Sequence, residues 1–326
     1  MTSSILITGG TTGVGYYCTI ALAKKFPTHN IIIASRTDSN DAAGTINRLL
    51  GQKNVRHMYL DLSKMSQIRT FVQQWVDKTY PPIEYLLLNA GLQFPGPVEL
   101  SEDGFEKTFA ITNIGNPLLF SLLMPHLAHT ARVVVTGSGT HDPAQKWGMP
   151  EAEYTTAEEL AHPTAKTLNH PGRKRYTSSR LAVLMWTYAL DRRLKTLRDT
   201  NQRNWTVATF DPGLMPGTAL VRASTSSVET IVWYHVLPHV LPLLRLLMGK
   251  SNIQKPGTSG ESLAWLASDV EVSKFSGRYY EERRAISSSE DSYDEVKQEE
   301  LWEWTLKTIA SGPEELALFS LKGFST

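Results

Sequence analysis

The chain has 326 residues, 41% of them apolar and 20% charged, enough to bury a full core and unlike the composition of a fibre or a disordered polypeptide. Its 33 basic and 32 acidic residues leave a net charge of +1, so it carries no basic footprint for nucleic acid, and a small-molecule partner is expected instead. Cys18 is the only cysteine, which excludes a disulfide framework and a thiolate metal site; a cytoplasmic protein without a metal is the expectation.

A β-rich run at 4–8 begins the chain without the basic region and long apolar core of a signal peptide, and the ending Gly323-Phe324-Ser325-Thr326 matches no retention or peroxisomal address. The run leads into Thr8-Gly9-Gly10-Thr11-Thr12-Gly13-Val14-Gly15, a glycine-rich turn opening a helix. Gly9 permits the tight turn, Gly13 lets backbone approach a pyrophosphate, and Gly15 allows close packing of helix on sheet. The helix N-terminus, with Thr11, Thr12 and Val14 around it, offers free N–H groups to phosphate.

A second strand at 30–34 ends in Ser35-Arg36. An acid here would bind a ribose 2′-hydroxyl, whereas Arg36 can pair with a 2′-phosphate and stack beside adenine, which favours NADP(H) over NAD(H). The plainer reading of Arg36 is a solvated loop residue. Further strand-like runs lie at 55–60, 84–89, 132–136, 205–210 and 277–281, about seven in all. Amphipathic stretches separate them; residues 65–78 carry Ile68, Phe71, Val72 and Trp75 at helical spacing. This alternation predicts right-handed βαβ crossovers and a Rossmann-type, doubly wound parallel α/β sheet, in a single domain spanning residues 1–326.

Residues 231–248 are apolar but contain His235, Pro238, His239, Pro242 and Arg245, which argues against a transmembrane span. A buried or pocket-covering helix is expected there, with peripheral membrane contact as the alternative. The acidic tract 281–300 reads as solvated surface leading into a last helix near 299–310.

Tyr176-Thr177-Ser178-Ser179-Arg180 has the spacing of a Tyr-x-x-x-Lys proton-transfer pair, since helical positions four apart share a face, but an arginine replaces the lysine. Tyr293 and Lys297 repeat that spacing within the acidic tract and are read as exposed helix. The neighbouring Arg173, Lys174 and Arg175 are read as solvated basic surface.

The glycine-rich turn, Asp61-Leu62, Asn89-Ala90-Gly91, Asn113, Ser138, Tyr176 and Asp211-Pro212-Gly213 stand in the order of a short-chain dehydrogenase/reductase, and nearly the whole chain resembles that superfamily. Pro212 to Arg222, Pro256-Gly257-Thr258-Ser259-Gly260, Ser276-Gly277-Arg278-Tyr279-Tyr280 and the long spacer between Ser138 and Tyr176 resemble its protochlorophyllide oxidoreductase and retinol dehydrogenase-like branch. The resemblance implies that Asp61 accepts from the adenine amino group beside the Leu62 backbone, and that Asn89, Ala90 and Gly91 line the adenine-ribose side. It implies that Ser138 hydrogen-bonds the substrate oxygen, Tyr176 donates a proton as hydride reaches carbon, and Asn113 holds a relay water. Pro212, Gly213 and Thr218 would border the nicotinamide. Singly, Asn113 could instead bridge backbone and Ser138 satisfy a turn. The family lysine binds nicotinamide-ribose hydroxyls and depresses the tyrosine pKa; Arg180 keeps the charge but is bulkier, planar and effectively never neutral.

Segments 139–175 and 214–256 are expected to cover the substrate, with His141, Trp147, Leu214 and Met215 as candidate contacts. A fairly large apolar carbonyl compound, of the polycyclic, polyketide or terpenoid kind made in secondary metabolism, is the expected substrate. The expected function is NADP(H)-dependent interconversion of a carbonyl and an alcohol. Two alternatives stay open: a repurposed member that holds NADP(H) while catalysing alkene reduction or a non-redox cyclisation or isomerisation, and a catalytically silent binding protein.

Overall fold

Seven runs pair in parallel to form one sheet: Ser4–Thr8 (β1), Asn30–Ser35 (β2), Val55–Tyr59 (β3), Ile83–Leu88 (β4), Leu127–Thr136 (β5), Asn204–Asp211 (β6) and Arg278–Glu281 (β7). An eighth strand, Arg284–Ile286 (β8), adds an antiparallel edge. The computed structural model describes residues 2–216 and 237–321. Strand order is β3-β2-β1-β4-β5-β6-β7-β8, so the winding reverses between β1 and β4 and leaves a crevice beyond their C-terminal ends. Ile5, Leu6 and Ile7 are all fully buried, as suits a strand covered on both faces.

The helices follow in chain order as α1 (Gly13–Lys25), α2 (Ala42–Leu50), α3 (Met65–Asp77), α4 (Lys107–Phe109), α5 (Asn116–Leu123), α6 (Ala157–Ala161), α7 (Gly172–Asp199), α8 (Leu241–Met248), α9 (Pro256–Ser268), α10 (Val270–Ser273), α11 (Glu295–Ile309) and α12 (Pro313–Phe319). On one face, Cys18 and Leu22 of α1 pack with Ile46 of α2 and Leu263 of α9. A Cβ on Gly260 would lie 2.7 Å from the Cys18 backbone nitrogen, so that glycine sets how closely α9 approaches α1. On the other face, Ile68, Phe71, Val72 and Trp75 of α3 join α5, α7 and the Leu301 and Trp302 pair of α11. The helical stripe expected in residues 65–78 is therefore the buried face of α3.

Several expectations are corrected. To the seven expected strands a hairpin at Glu282, held at φ +55°, adds an eighth by returning three residues along β7. Three residues with two exposed side chains give no periodic signal. Much of the tract 281–300 is structural: Ser288, Ser289, Ser292 and Gln298 are buried. Tyr293 is half exposed, but it ends a 3₁₀ turn and stacks on Tyr188, with ring centroids 5.2 Å apart. Arg175 is buried and pairs with Glu106 at 3.3 Å, so the basic cluster is only partly solvated.

None of residues 139–175 is among those that line the crevice. The Tyr154 hydroxyl donates to Glu300 at 2.5 Å, the Ala157 N–H points to the same carboxylate, and the Glu153 N–H donates to Ser178 Oγ, which ties the segment along α7 and α11. Residues 231–236 lie outside the described residues, and α8 beyond them is not a buried helix: Leu241 is buried, whereas Leu243, Leu246 and Leu247 are exposed. Among the described residues no helix is long and apolar enough to cross a membrane.

Candidate active site

The crevice at the switch point is a cleft of about 800 Å³. One end is lined by Ala34, Ser35, Arg36, Leu60, Asp61 and Leu62, the middle by the turn from Gly9 to Gly15, and the far end by Ser138, Tyr176, Arg180, Pro212, Gly213 and Met215. In the turn, Gly9 and Gly13 have φ of +69° and +56°, a conformation that favours glycine. A Cβ on Gly15 would fall 2.3 Å from the Gly9 carbonyl oxygen, which fixes how tightly α1 starts against β1.

At the adenine-side end, Arg36 is exposed and forms no ion pair among the described residues. Asp38, the acid that follows it, is occupied elsewhere: its carboxylate accepts from the Ala42 N–H at 2.7 Å and the Ala43 N–H at 3.3 Å, capping α2. Ser35 is held by Thr11 at 3.2 Å and donates to the Thr37 carbonyl at 2.7 Å. Asp61 Oδ1 accepts from the Ser63 N–H and hydroxyl, leaving Oδ2 as its remaining acceptor.

A chain of hydrogen bonds crosses the strand ends. Asn89 Nδ2 donates to the Thr8 carbonyl at 3.0 Å, and Asn89 Oδ1 accepts from Thr136 Oγ1 at 3.2 Å. The Thr136 carbonyl then accepts from Arg180 Nη1 at 2.9 Å. Arg180 is 3% exposed, and its Cζ lies 4.9 Å from the Tyr176 ring centroid, one helical turn away. A Cβ on Gly91 would sit 2.3 Å from Arg180 Nη2, so the third residue of Asn89-Ala90-Gly91 makes room for the guanidinium. Among the described residues no carboxylate pairs with Arg180, and its Nε is buried without an acceptor.

Asn113 does not line the cleft. It lies in a π-helical turn, Ala110–Gly115, and its Nδ2 donates to Thr112 Oγ1 and to the carbonyl and hydroxyl of Ser179, so the side chain ties this turn to α7 one residue before Arg180. Its buried Oδ1 has no protein partner. The π turn, which places Asn113 against α7, is of the kind often found at functional sites.

Beneath the far end is a second network. Ser138 Oγ accepts from the Thr140 N–H at 3.3 Å, and the Ser138 carbonyl faces His141 Nδ1 at 2.7 Å. His141 is fully buried, and its Nε2 accepts from the Ser289 N–H at 3.1 Å. With Nε2 an acceptor, Nδ1 carries the proton and donates to Ser138. Both ring nitrogens are thus occupied, which corrects the expectation that His141 contacts substrate. Burial pushes its pKa below the usual 6.5 despite the Ser138 carbonyl and the nearby Asp211 and Asp142. Asp211 accepts from the N–H groups of Gly213 and Gly139 and, at 3.0 Å, from the Tyr279 hydroxyl; burial nevertheless raises both its pKa and that of Tyr279.

Of the other expected substrate contacts, Met215 lines the cleft and Leu214 and Trp147 do not. Leu214 bridges to Ile253, and the Trp147 indole donates to Gln145 with the Lys250 ammonium 5.3 Å above its ring. Thr218 lies outside the described residues. Tyr17, Leu92, Ile111 and Pro256 also line the cleft. Pro256 stood in a recognised motif, whereas Tyr17, Leu92 and Ile111 carry no signal beyond apolarity.

The His141 geometry predicts a pH effect on stability. A base whose folded pKa is depressed lets the unfolded chain bind more protons, so its contribution is complete above about 6.5 and is lost as pH falls below it. His141→Phe should lower stability by about 1–3 kcal/mol at neutral pH, by stranding the Ser138 carbonyl and the Ser289 N–H. It should also flatten the decline between about pH 7 and 5 by up to roughly 1.4 kcal/mol per pH unit, measured by chemical denaturation; parallel pH profiles would contradict the assigned tautomer.

Residues 3–154 match the family model described as short chain dehydrogenase. A chloroplastic short-chain dehydrogenase, TIC 32 A of Brassica napus, is 28% identical over 94% of this chain and 89% of its own length. Human polyprenol dehydrogenase is 28% identical over 91% of this chain and 82% of its own, and human retinol dehydrogenase 14 is 26% identical over 92% and 84%. Among solved structures, an uncharacterised protein of Mycobacterium paratuberculosis superposes with a TM-score of 0.65 at 20% identity, covering 94% of this chain and 93% of its own. A 3-ketoacyl-(acyl-carrier-protein) reductase of Brucella melitensis superposes with a TM-score of 0.58 at 18% identity, covering 85% and 95%. With the switch-point cleft and the glycine turn, these matches make the chain similar to short-chain dehydrogenases/reductases, with retinol dehydrogenase-like proteins among its relatives.

Proposed function

We propose that the protein is an NADP(H)-dependent oxidoreductase that interconverts a carbonyl and an alcohol on a fairly large apolar substrate. One observation carries this reading: Ser138, Tyr176 and Arg180 line one end of a continuous cleft whose other end holds Arg36 outside any ion pair among the described residues. The residues suit a dinucleotide phosphate. Arg36 and Ser35 would hold a 2′-phosphate, Asp61 and Leu62 the adenine, the Gly9 to Gly15 turn the pyrophosphate, and Asn89, Ala90, Gly91, Pro212 and Gly213 the riboses and nicotinamide. When bound, the cofactor supplies or takes up a hydride at the reacting carbon.

In the reductive direction, Ser138 Oγ donates a hydrogen bond to the substrate oxygen while Tyr176 gives that oxygen its phenolic proton. The charge left on Tyr176 develops against the Arg180 guanidinium, which stacks on the same ring. Leu92, Ile111 and Met215 give this end of the cleft an apolar wall. The names of two relatives, polyprenol dehydrogenase and retinol dehydrogenase, refer to apolar isoprenoid alcohols and support the same substrate class.

Arg180 favours a second reading, in which the site has been reshaped for alkene reduction or a non-redox rearrangement. Its guanidinium spans the Thr136 carbonyl and Gly91, a reach that a single ammonium nitrogen does not reproduce.

Three measurements test these assignments. NADPH should bind at least about tenfold more tightly than NADH, and Arg36→Ala should erase most of the difference, because a charged contact to phosphate contributes about 1.5–3 kcal/mol. Equal affinities in the parent protein would refute the cofactor choice. With retinal or a polyprenal as probe, Tyr176→Phe should lower turnover by about 10² to 10⁴-fold with NADPH binding intact. Retained turnover would move the proton donor elsewhere. Arg180→Lys should lower turnover by roughly tenfold or more while NADPH affinity persists, since lysine cannot span both contacts; turnover at or above the parent level would show that charge alone is required.

A further inference from the structure

We infer that α8 (Leu241–Met248) is a docking surface for an anionic lipid bilayer, placed beside the mouth of the cleft. Leu241 turns inward and is 5% exposed, whereas Leu243, Leu246 and Leu247 are 54%, 79% and 74% exposed. Positions 243, 246 and 247 follow an i, i+3, i+4 pattern and form one outward stripe. A helix on the surface of a globular protein ordinarily turns charge outward, and α8 turns leucine outward instead.

Charge selects the occupant. From 237 to 260 the sequence contains no aspartate or glutamate but includes Arg245, Lys250 and Lys255. An apolar stripe whose flanking charges along the chain are all cations suits a bilayer bearing acidic headgroups, where leucines enter the acyl boundary and the basic side chains meet phosphate and carboxylate. The helix has eight residues, too few to span, so it would lie in the interface.

Position gives the surface a purpose. Arg245 Nε donates to the Ile253 carbonyl at 2.8 Å, and Leu214 exchanges backbone hydrogen bonds with Asn252 and Gln254, both at 2.9 Å. Leu214 lies between Gly213 and Met215, which line the cleft, so α8 is fastened to the loop at its far end. Given the apolar substrate class proposed above, the surface would let substrate pass from the bilayer into the cleft; the docking itself does not depend on that reading.

Flotation of the full chain with phosphatidylcholine vesicles, with and without phosphatidylserine, tests the inference. The parent protein should float with phosphatidylserine-containing vesicles and much less with phosphatidylcholine alone, and added salt should weaken the binding. Replacing both Leu246 and Leu247 by Glu should reduce the bound fraction by at least about tenfold, with unchanged NADPH binding and unfolding midpoint showing that the fold is intact. Two outcomes would overturn the inference: no flotation of the parent under any condition, or a parent dimer in light scattering that the double substitution dissolves without any vesicle binding. The second would assign the stripe to a copy of this chain. Because flotation requires neither cofactor nor turnover, its failure is separable from failure of the proposed reaction.

Discussion

The site depends on one amide. Asn89 stands at the end of β4 with β1 on one side and β5 on the other, and its side chain donates to the Thr8 carbonyl while accepting from Thr136. Thr8 Oγ1 accepts in turn from the N–H groups of Asn89 and Ala90, both at 2.9 Å. Strand ends at a switch point splay apart and lose ladder partners there, so polar groups left at their tips need side-chain substitutes. An amide has both a donor and an acceptor, which lets one residue satisfy both flanks; a carboxylate or an ammonium has only half of that capacity. The glycines depend on the same residue, because a Cβ on Gly15 would lie 2.8 Å from Asn89 Nδ2 and one on Gly9 would lie 3.2 Å from it. The glycine turn is shaped against Asn89 as much as by its own backbone freedom.

The Thr136 carbonyl extends that constraint to Arg180. Burying a cation without a carboxylate is costly, and the surroundings offset this in three ways: a carbonyl on Nη1, the face of Tyr176 beneath Cζ, and the cleft itself. Guanidinium is more weakly hydrated than ammonium and loses less on leaving water. Gly91 is what allows its width. The width of the guanidinium is thus accommodated by a backbone position that carries no side chain.

The sequence makes legible those features whose cause is local or strictly ordered. The α3 stripe, the glycine turn, Arg36 after β2 and the Tyr176–Arg180 pair all follow from period, spacing or chain order, and all but the stripe line the same cleft. What it hides are contacts closed by distant partners. His141 beside Ser138 suggests a substrate contact until Ser289, 148 positions away, occupies its second nitrogen. Nor does the insertion at 139–175 reveal that its Glu153-Tyr154 stretch is anchored to α7 and α11 by Ser178 and Glu300. For α8 the apolar pattern was visible and its direction was not: a hydrophobic run states that apolar surface exists, and only the tertiary setting decides whether protein covers it.

Asp211 shows why the far end of the cleft is built on a carboxylate rather than on the amide used at Asn89. Three donors converge on it, from the Gly139 backbone after Ser138, the Gly213 backbone at the cleft wall and the Tyr279 hydroxyl on β7. A carboxylate is acceptor-only, so it satisfies all three, whereas an amide would turn its N–H₂ toward at least one donor. Burial raises the pKa of Asp211 even with these bonds, so an acid at this position carries a cost to stability. That cost fixes the relative position of two walls supplied by different strands, Ser138 at the end of β5 and Gly213 after β6. Among the described residues no cation pairs with this acid, so its three donors alone hold the Ser138 and Gly213 walls of the cleft in register, as a site that must keep two walls at a set distance requires.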